Sequence, residues 1–165
     1  MRSEILRNFL KPEPTNASGH IQKDIHSGEL AIITAAIRDE GTSRHYMPIE
    51  FPAITDIDIV MALQAAAKKT GAKSRTGITQ SKDSFYGQHE PERMGVAKDL
   101  LERWRAWEIG GALCSEMEAS ALFVIASMLR VRAGGVMMVH GKEPMPSLDI
   151  LLETAIQSLR ELISK

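Results

Sequence analysis

Gly28-Glu29-Leu30-Ala31-Ile32-Ile33-Thr34-Ala35-Ala36-Ile37-Arg38-Asp39-Glu40-Gly41 is the stretch that decides the fold. Between Gly28 and the polar residues from Arg38 onward, positions 29–37 are almost all apolar. A short apolar run bounded by turn and polar residues reads as a central strand covered on both faces. Reading onward, Thr55 to Thr70 is helical, with Thr55 and Asp58 spaced as a capping box and Gly71 at the C-cap. Ser74 to Gln80 reads as a second strand. Pro91 to about Trp107 reads as a helix with Met94, Val96, Leu100, Leu101 and Trp104 as its apolar side. Ser115, with Glu118 three residues on, starts a helix that runs to about Met128. Arg132 to Val139 reads as a third strand, and its two glycines suggest close packing or a bulge. From near Ser147, Leu148, Leu151, Leu152, Ala155, Ile156, Leu159, Leu162 and Ile163 keep the spacing of a one-sided helix. Strands alternating with helices imply an α/β fold, a sheet flanked by helices.

Upstream the texture differs. Ile5, Leu6, Phe9 and Leu10 suit a short helical turn, Pro12 and Pro14 break it, and Thr15 to Gly19 reads as loop. The expected division is a divergent N-terminal segment over 1–20 and one domain over 21–165.

Composition narrows the function. The 165 residues carry a formal net charge of -1, with no basic run or basic half, so no nucleic-acid partner is expected. The longest apolar-rich run, 121–129, is far below the roughly 20 residues of a membrane span, so no membrane partner is expected either. The first twenty residues hold no signal-peptide core. Cys114 is the single cysteine. It excludes an internal disulfide and a cysteine-cluster metal site, and a reducing cytoplasm is the expected location.

No P-loop, GxGxxG or GxSxG motif occurs. The histidines at 20, 26, 45, 89 and 140 lack metal-ligand spacing, so no metal is expected. Chemistry then falls to polar residues at strand ends, where open α/β sheets bind ligands. Two stretches stand out. Ser81-Lys82-Asp83-Ser84-Phe85-Tyr86-Gly87-Gln88-His89 follows a strand and sets two aromatics beside a carboxamide. The amide of Gln88 has the donors and acceptor to pair with a pyrimidine edge, and Phe85 can stack on a base. The same stretch is equally readable as an ordinary βα loop. In Ser115-Glu116-Met117-Glu118-Ala119, a carboxylate can accept from the vicinal hydroxyls of a ribose and Met117 can cover the sugar. Equally, Glu118 can close a capping box and Met117 can be core.

Taken together and in order, residues 28–53, 81–94, 116–120 and 129–136 resemble uridine phosphorylases of the nucleoside phosphorylase family. Gly87-Gln88 after Ser84-Phe85-Tyr86, and the Glu116-Met117-Glu118-Ala119-Ser120 run, are the most specific parts. The resemblance implies a mixed central sheet surrounded by helices, a homo-oligomer, and reversible phosphorolysis of uridine to uracil and ribose 1-phosphate. Phosphate is there a co-substrate, and no cofactor is used. It implies that Phe85 contacts the base or sugar, Gln88 reads uracil, Glu116 lies against the nucleoside, Met117 packs on ribose and Glu118 binds its hydroxyls. The family's arginine two residues past the glutamine is Glu90 here, with His89 or Arg93 as its substitutes. No aspartate follows the strand at 132–139, where purine-specific relatives keep one, so a pyrimidine nucleoside is expected.

The same comparison marks departures. The family's N-terminal phosphate loop has no counterpart in these residues. Pro14 and Ala17 stand where the next phosphate ligands belong, and neither brings a side-chain donor. The loop from His140 to Pro146 is short and lacks an arginine. The expectation is a nucleoside-binding half whose phosphate site is lost, or alternatively an inactive remnant acting as a nucleoside-binding module or an oligomerisation partner. A sheet short of strands would also leave an apolar edge open at 29–37.

Overall fold

A strand as apolar as 29–37 needs hydrogen-bonding partners on both sides, because each buried N–H and C=O must be paired. The computed structural model describes residues 17–141 and 146–164. Six strands, β1 (Ala17–His20), β2 (Leu30–Asp39), β3 (Ala53–Ile54), β4 (Ser74–Lys82), β5 (Cys114–Glu116) and β6 (Gly135–His140), form one sheet. Strand β2 runs parallel to β4 along one side. On its other side Leu30–Ile33 pair antiparallel with β6, and Ala35–Ala36 pair antiparallel with β3. The pairings therefore close a circuit, β2–β4–β5–β1–β6–β2. The open apolar edge expected at 29–37 is absent, because β6 and β3 together take up the side of β2 that β4 leaves.

The change of partner coincides with a bulge. Ile33 pairs with Gly77 and Ala35 with Ile78, so Thr34 is the extra residue. Its hydroxyl donates to the Gly77 carbonyl, and its own carbonyl accepts from the amide and hydroxyl of Thr55. The side chains follow the shift. Ala31, Ile33 and Ala36 share a core cluster with Phe123 and Val124. Ile32 points the other way, into a cluster with Val60, Leu63 and Ala67, and Leu30 meets Met138 and Leu151.

The described residues form five α-helices: α1 (Ile57–Thr70), α2 (Phe85–His89), α3 (Ala97–Ile109), α4 (Ala119–Met128) and α5 (Asp149–Ile163), of which α1, α4 and α5 pack on the sheet. Phe123 of α4 is 1% exposed. Burying a side chain of that size contributes about 1.5–3 kcal/mol. Helices α1 and α5 pack together, joined by the Thr70 and Thr154 hydroxyls at 2.9 Å. Past β2, the guanidinium of buried Arg38 donates to the Ser43 hydroxyl and to the carbonyls of Ser43, Met47, Pro48, Ile49 and Phe51. One side chain thereby shapes the whole 43–51 loop.

Several local readings change. The N-cap of α1 is Asp56, which accepts from the amides of Asp58 and Ile59, because Thr55 is committed to Thr34. Pro91–Arg93 is a single 3-10 turn, and α3 starts only at Ala97, after Gly95. No residue of α3 is buried, so Val96 and Leu101 lie on the surface. Ser115 lies in β5, and α4 starts at Ala119. Ala17 to Gly19, read as loop, belong to strand β1, paired with β5 and β6. The readings of Ile5 to Pro14, and the 142–145 part of the late loop, lie outside the described residues.

The glycine pair at the start of β6 does signal close packing. A Cβ on Gly134 would stand 2.3 Å from Ile59 Cγ2 and 3.0 Å from Ile59 Cβ. Ile59 is β-branched and near the start of α1, so it cannot swing aside freely. Gly134→Ala should destabilise the fold by about 1–3 kcal/mol, the range for overpacking. Gly95→Ala, where nothing lies within 4 Å, should leave stability nearly unchanged. Urea denaturation midpoints of the two variants check this.

Candidate functional site

Strands β2, β4 and β5 are parallel neighbours and end level with one another: Asp39 pairs with Lys82, and Ser81 with Glu116. Carboxyl ends of parallel strands are where α/β folds gather binding groups. Here they deliver Gln80, Ser81, Lys82 and Ser115, all buried.

The Ser115 hydroxyl joins these groups. Its oxygen lies 2.6 Å from Lys82 Nζ, 2.6 Å from Gln80 Oε1 and 2.7 Å from Gln88 Oε1. A hydroxyl has one proton to give. The orientation of Gln80 is set by its Nε2, which donates to Asp39 Oδ2 at 2.7 Å. Lys82 donates to Ser115, and the one Ser115 proton faces two acceptors, Gln80 Oε1 and Gln88 Oε1. With its Oε1 on Ser115, Gln88 turns its NH2 group towards Gly19, where an added Cβ would stand 3.2 Å from Gln88 Nε2. Asp39 is held in turn by Arg103 of α3. Gln88 reaches this point because α2 is capped by Ser84, whose hydroxyl accepts from Gly87 N at 3.0 Å.

The acidic run divides its work. Glu116 is committed to the scaffold: one carboxylate oxygen accepts from the Ser81 hydroxyl, the other from the amides of Glu118 and Ala119 at 2.7 Å each. It thus serves the N-terminus of α4, where a negative charge is favourable. Burial pushes its pKa up, against those hydrogen bonds, and the charge of Glu118 adds to the rise. Glu118 is exposed and accepts from the Met117 amide at 3.2 Å with one oxygen. Its expected pairing with Ser115 in a capping box does not form. Met117 and Phe85 are 39% and 53% exposed, apolar groups bordering a polar cluster. The Phe85 ring lies 4.2 Å from that of His89.

His89 and Arg93 part company. Burial, and secondly the charge of Lys82, lower the His89 pKa, so His89 adjoins the cluster. Arg93 is instead paired with Glu90 and lies over the Tyr86 ring at 5.9 Å. Sequence reasoning assigned no role to Lys82, and missed Ser115 as anything but a cap. The available signal was three polar residues, Gln80 to Lys82, ending a strand. Among the described residues no group of three or more His, Cys, Asp or Glu side chains could hold a metal, and no helix is long and apolar enough to cross a membrane. An open cleft of about 350 Å³ lies elsewhere, between β2 and residues 49–53.

Two predictions follow from these contacts. Ser115→Ala leaves Gln80 Oε1 and the Lys82 ammonium without their buried partner, and should cost about 1–3 kcal/mol in denaturant unfolding. Glu40 accepts from the Ser43 amide and the Ser120 hydroxyl. Burial raises its pKa, but these hydrogen bonds outweigh it and hold the carboxyl below 4.5. A lowered carboxyl pKa supports the fold above the unfolded-state value and loses that support as pH falls through the folded one. Glu40→Gln should therefore be less stable than the wild type at neutral pH. The gap should close as pH falls below the ordinary carboxylate range, read from urea midpoints at neutral and at acid pH.

The sequence pattern of the phosphorylase superfamily matches residues 14–164. The chain is 47% identical over 126 residues to a uridine phosphorylase of Treponema pallidum, covering 76% of this chain and 49% of that protein. It is 39% identical over 128 residues to a uridine phosphorylase of Thermococcus kodakarensis, covering 74% and 45% of the two chains. With a uridine phosphorylase of Escherichia coli it shares 30% identity over 164 residues, 96% of this chain and 64% of that one. The chain thus spans between about half and two thirds of these relatives' length. A match over nearly every described residue, the strand-end cluster included, means that the chain belongs to the phosphorylase superfamily and is uridine phosphorylase-like.

Proposed function

We propose that the strand-end cluster is the nucleoside half of a uridine phosphorylase site, which binds uridine or a related pyrimidine nucleoside. The observation that carries this reading is the Gln88 amide, held at the strand ends by its Oε1 on Ser115, with no partner for its NH2 group among the described residues. A side-chain amide combines donors with an acceptor, as complementarity to the N–H and C=O edge of uracil requires. Glu118, exposed and with one carboxylate oxygen uncommitted among the described residues, suits the vicinal hydroxyls of ribose. Met117 and Phe85 supply apolar faces for sugar and base. His89 is the better placed of the two residues to supplement Gln88, since Arg93 is held by Glu90. Glu116 acts on the nucleoside indirectly, by fixing the Met117–Glu118 turn.

The family reaction needs phosphate to attack the anomeric carbon while the bond to the base breaks. Catalysis by positioning works only if both reactants are held. At the phosphate positions implied by the resemblance stand Pro14 and Ala17, which bring no side-chain donor. On this reading the 165-residue chain binds the nucleoside without turning it over, and uses no metal or cofactor to do so. The same reading puts the protein in the cytoplasm as a homo-oligomer. Tyr46, Ile49, Ile54 and Ile57, between 44% and 68% exposed, support self-association.

Calorimetry with uridine, run beside a uracil-release assay with phosphate, separates the parts. Saturable uridine binding with release at background is the expected result. Lack of binding at millimolar uridine would sink the nucleoside reading, and release at enzymatic rates would sink the loss of the phosphate site. Glu118→Gln should weaken uridine binding about 5- to 20-fold and deoxyuridine binding less, as loss of one charged hydrogen bond requires.

A further inference from the structure

Lys82 is the charged group of the cluster to which the pyrimidine reading gives no task. Its side chain is buried, 8% exposed, at the end of β4. An ammonium has three N–H donors. Among the described residues one is used, on Ser115 Oγ at 2.6 Å. Among the described residues neither nearby carboxylate is hydrogen-bonded to Lys82: Glu116 accepts from Ser81 and two backbone amides, and Glu118 from the Met117 amide. A buried cation with unspent donors is costly unless something anionic completes its shell. One hydroxyl, that of Ser115, separates Lys82 from the Gln88 amide.

We propose that Lys82 makes this pocket selective for the anionic, ring-deprotonated form of a pyrimidine base over the neutral form, its ammonium donating to a carbonyl oxygen of the base that Gln88 reads. The proposal rests on the pyrimidine reading above. The same charge distribution builds on a base as its glycosidic bond breaks. The charged and titratable groups around Lys82 are Glu116 and Cys114 of β5, Glu118 before α4, His89 of α2, and Asp39 of β2 with its partner Arg103. Burial lowers the Lys82 pKa from the ordinary lysine value, and Glu116 and Glu118 oppose that fall. Lys82 therefore loses its proton at a lower pH than an exposed lysine.

The test is calorimetric titration of the whole chain with 5-fluorouracil from neutral to alkaline pH, with uridine binding measured alongside. Fluorine makes the ring N–H more acidic, so the anion forms while Lys82 is still charged. For the wild type, affinity should rise as the base ionises, by roughly 10- to 100-fold, the value of a charge-assisted hydrogen bond. It should fall again as Lys82 deprotonates. Lys82→Met should abolish the rise; the slope with pH is the readout, whatever the absolute affinity. Lys82→Arg should keep the rise and move the descending limb to higher pH, and this arm decides the matter if the methionine variant does not fold. A wild type that binds uridine but shows no rise, or a rise unchanged in Lys82→Met, overturns the role of Lys82 alone. A wild type that binds neither ligand overturns the pyrimidine reading and this inference together.

Discussion

Everything in this structure depends on β2 being hydrogen-bonded along both sides. Its apolar residues have no stable place in water, and its amides have none in an apolar core unless paired. Strand β4 satisfies one side over the full length. The other side is shared, first by β6 and then by β3. Once β2 is fixed, β4 and β5 follow in parallel, and the level at which the three strands end is no longer free. The polar cluster sits at that level.

The cluster is governed by proton counting more than by charge. Ser115 has one proton and three neighbours within 2.7 Å. Asp39 dictates the orientation of Gln80, and through it the place of the Ser115 hydroxyl. The chain of constraint runs from Arg103 on a surface helix, through Asp39, Gln80 and Ser115, to the Gln88 amide. Such an arrangement is set before any ligand arrives, which reduces the ordering cost of binding.

How much of this was readable in advance differs by element. The apolar run at 29–37 and the one-sided spacing after Ser147 were legible, because burial imposes a period on sequence. Gly71, at the C-cap of α1, was legible for its backbone geometry, a positive φ of 73°. The starts of α1 and α4 were misread. Thr55 and Ser115 both carry hydroxyls that fit a capping box locally, but both are claimed by distant partners, Thr34 on β2 and Lys82 on β4. Tertiary demand outbids local preference there, and spacing along the chain does not register it. Lys82 was invisible for a related reason. A lysine is ordinarily solvated, and only the closing of the sheet reveals that this one is covered. Glu116 was legible as part of a motif, yet its contacts make it a brace for the turn that presents Met117 and Glu118. The readings for Phe85 and Gln88 rest on the resemblance together with their place at the strand ends.

The bulge at Thr34 carries a consequence of a different kind. Before it, the residues of β2 that face α4 are odd-numbered, Ala31 and Ile33; after it they are even-numbered, Ala36, then Arg38 and Glu40 at the strand's end. The bulge acts as a frame shift written in side-chain direction. Removing Ala36, with the bulge and every other residue kept, would turn Ile37 and Asp39 towards the loop and helix that Arg38 and Glu40 now organise. This stretch of the chain is thus constrained in length independently of composition: it should accept many replacements of one residue by another and few changes in their number.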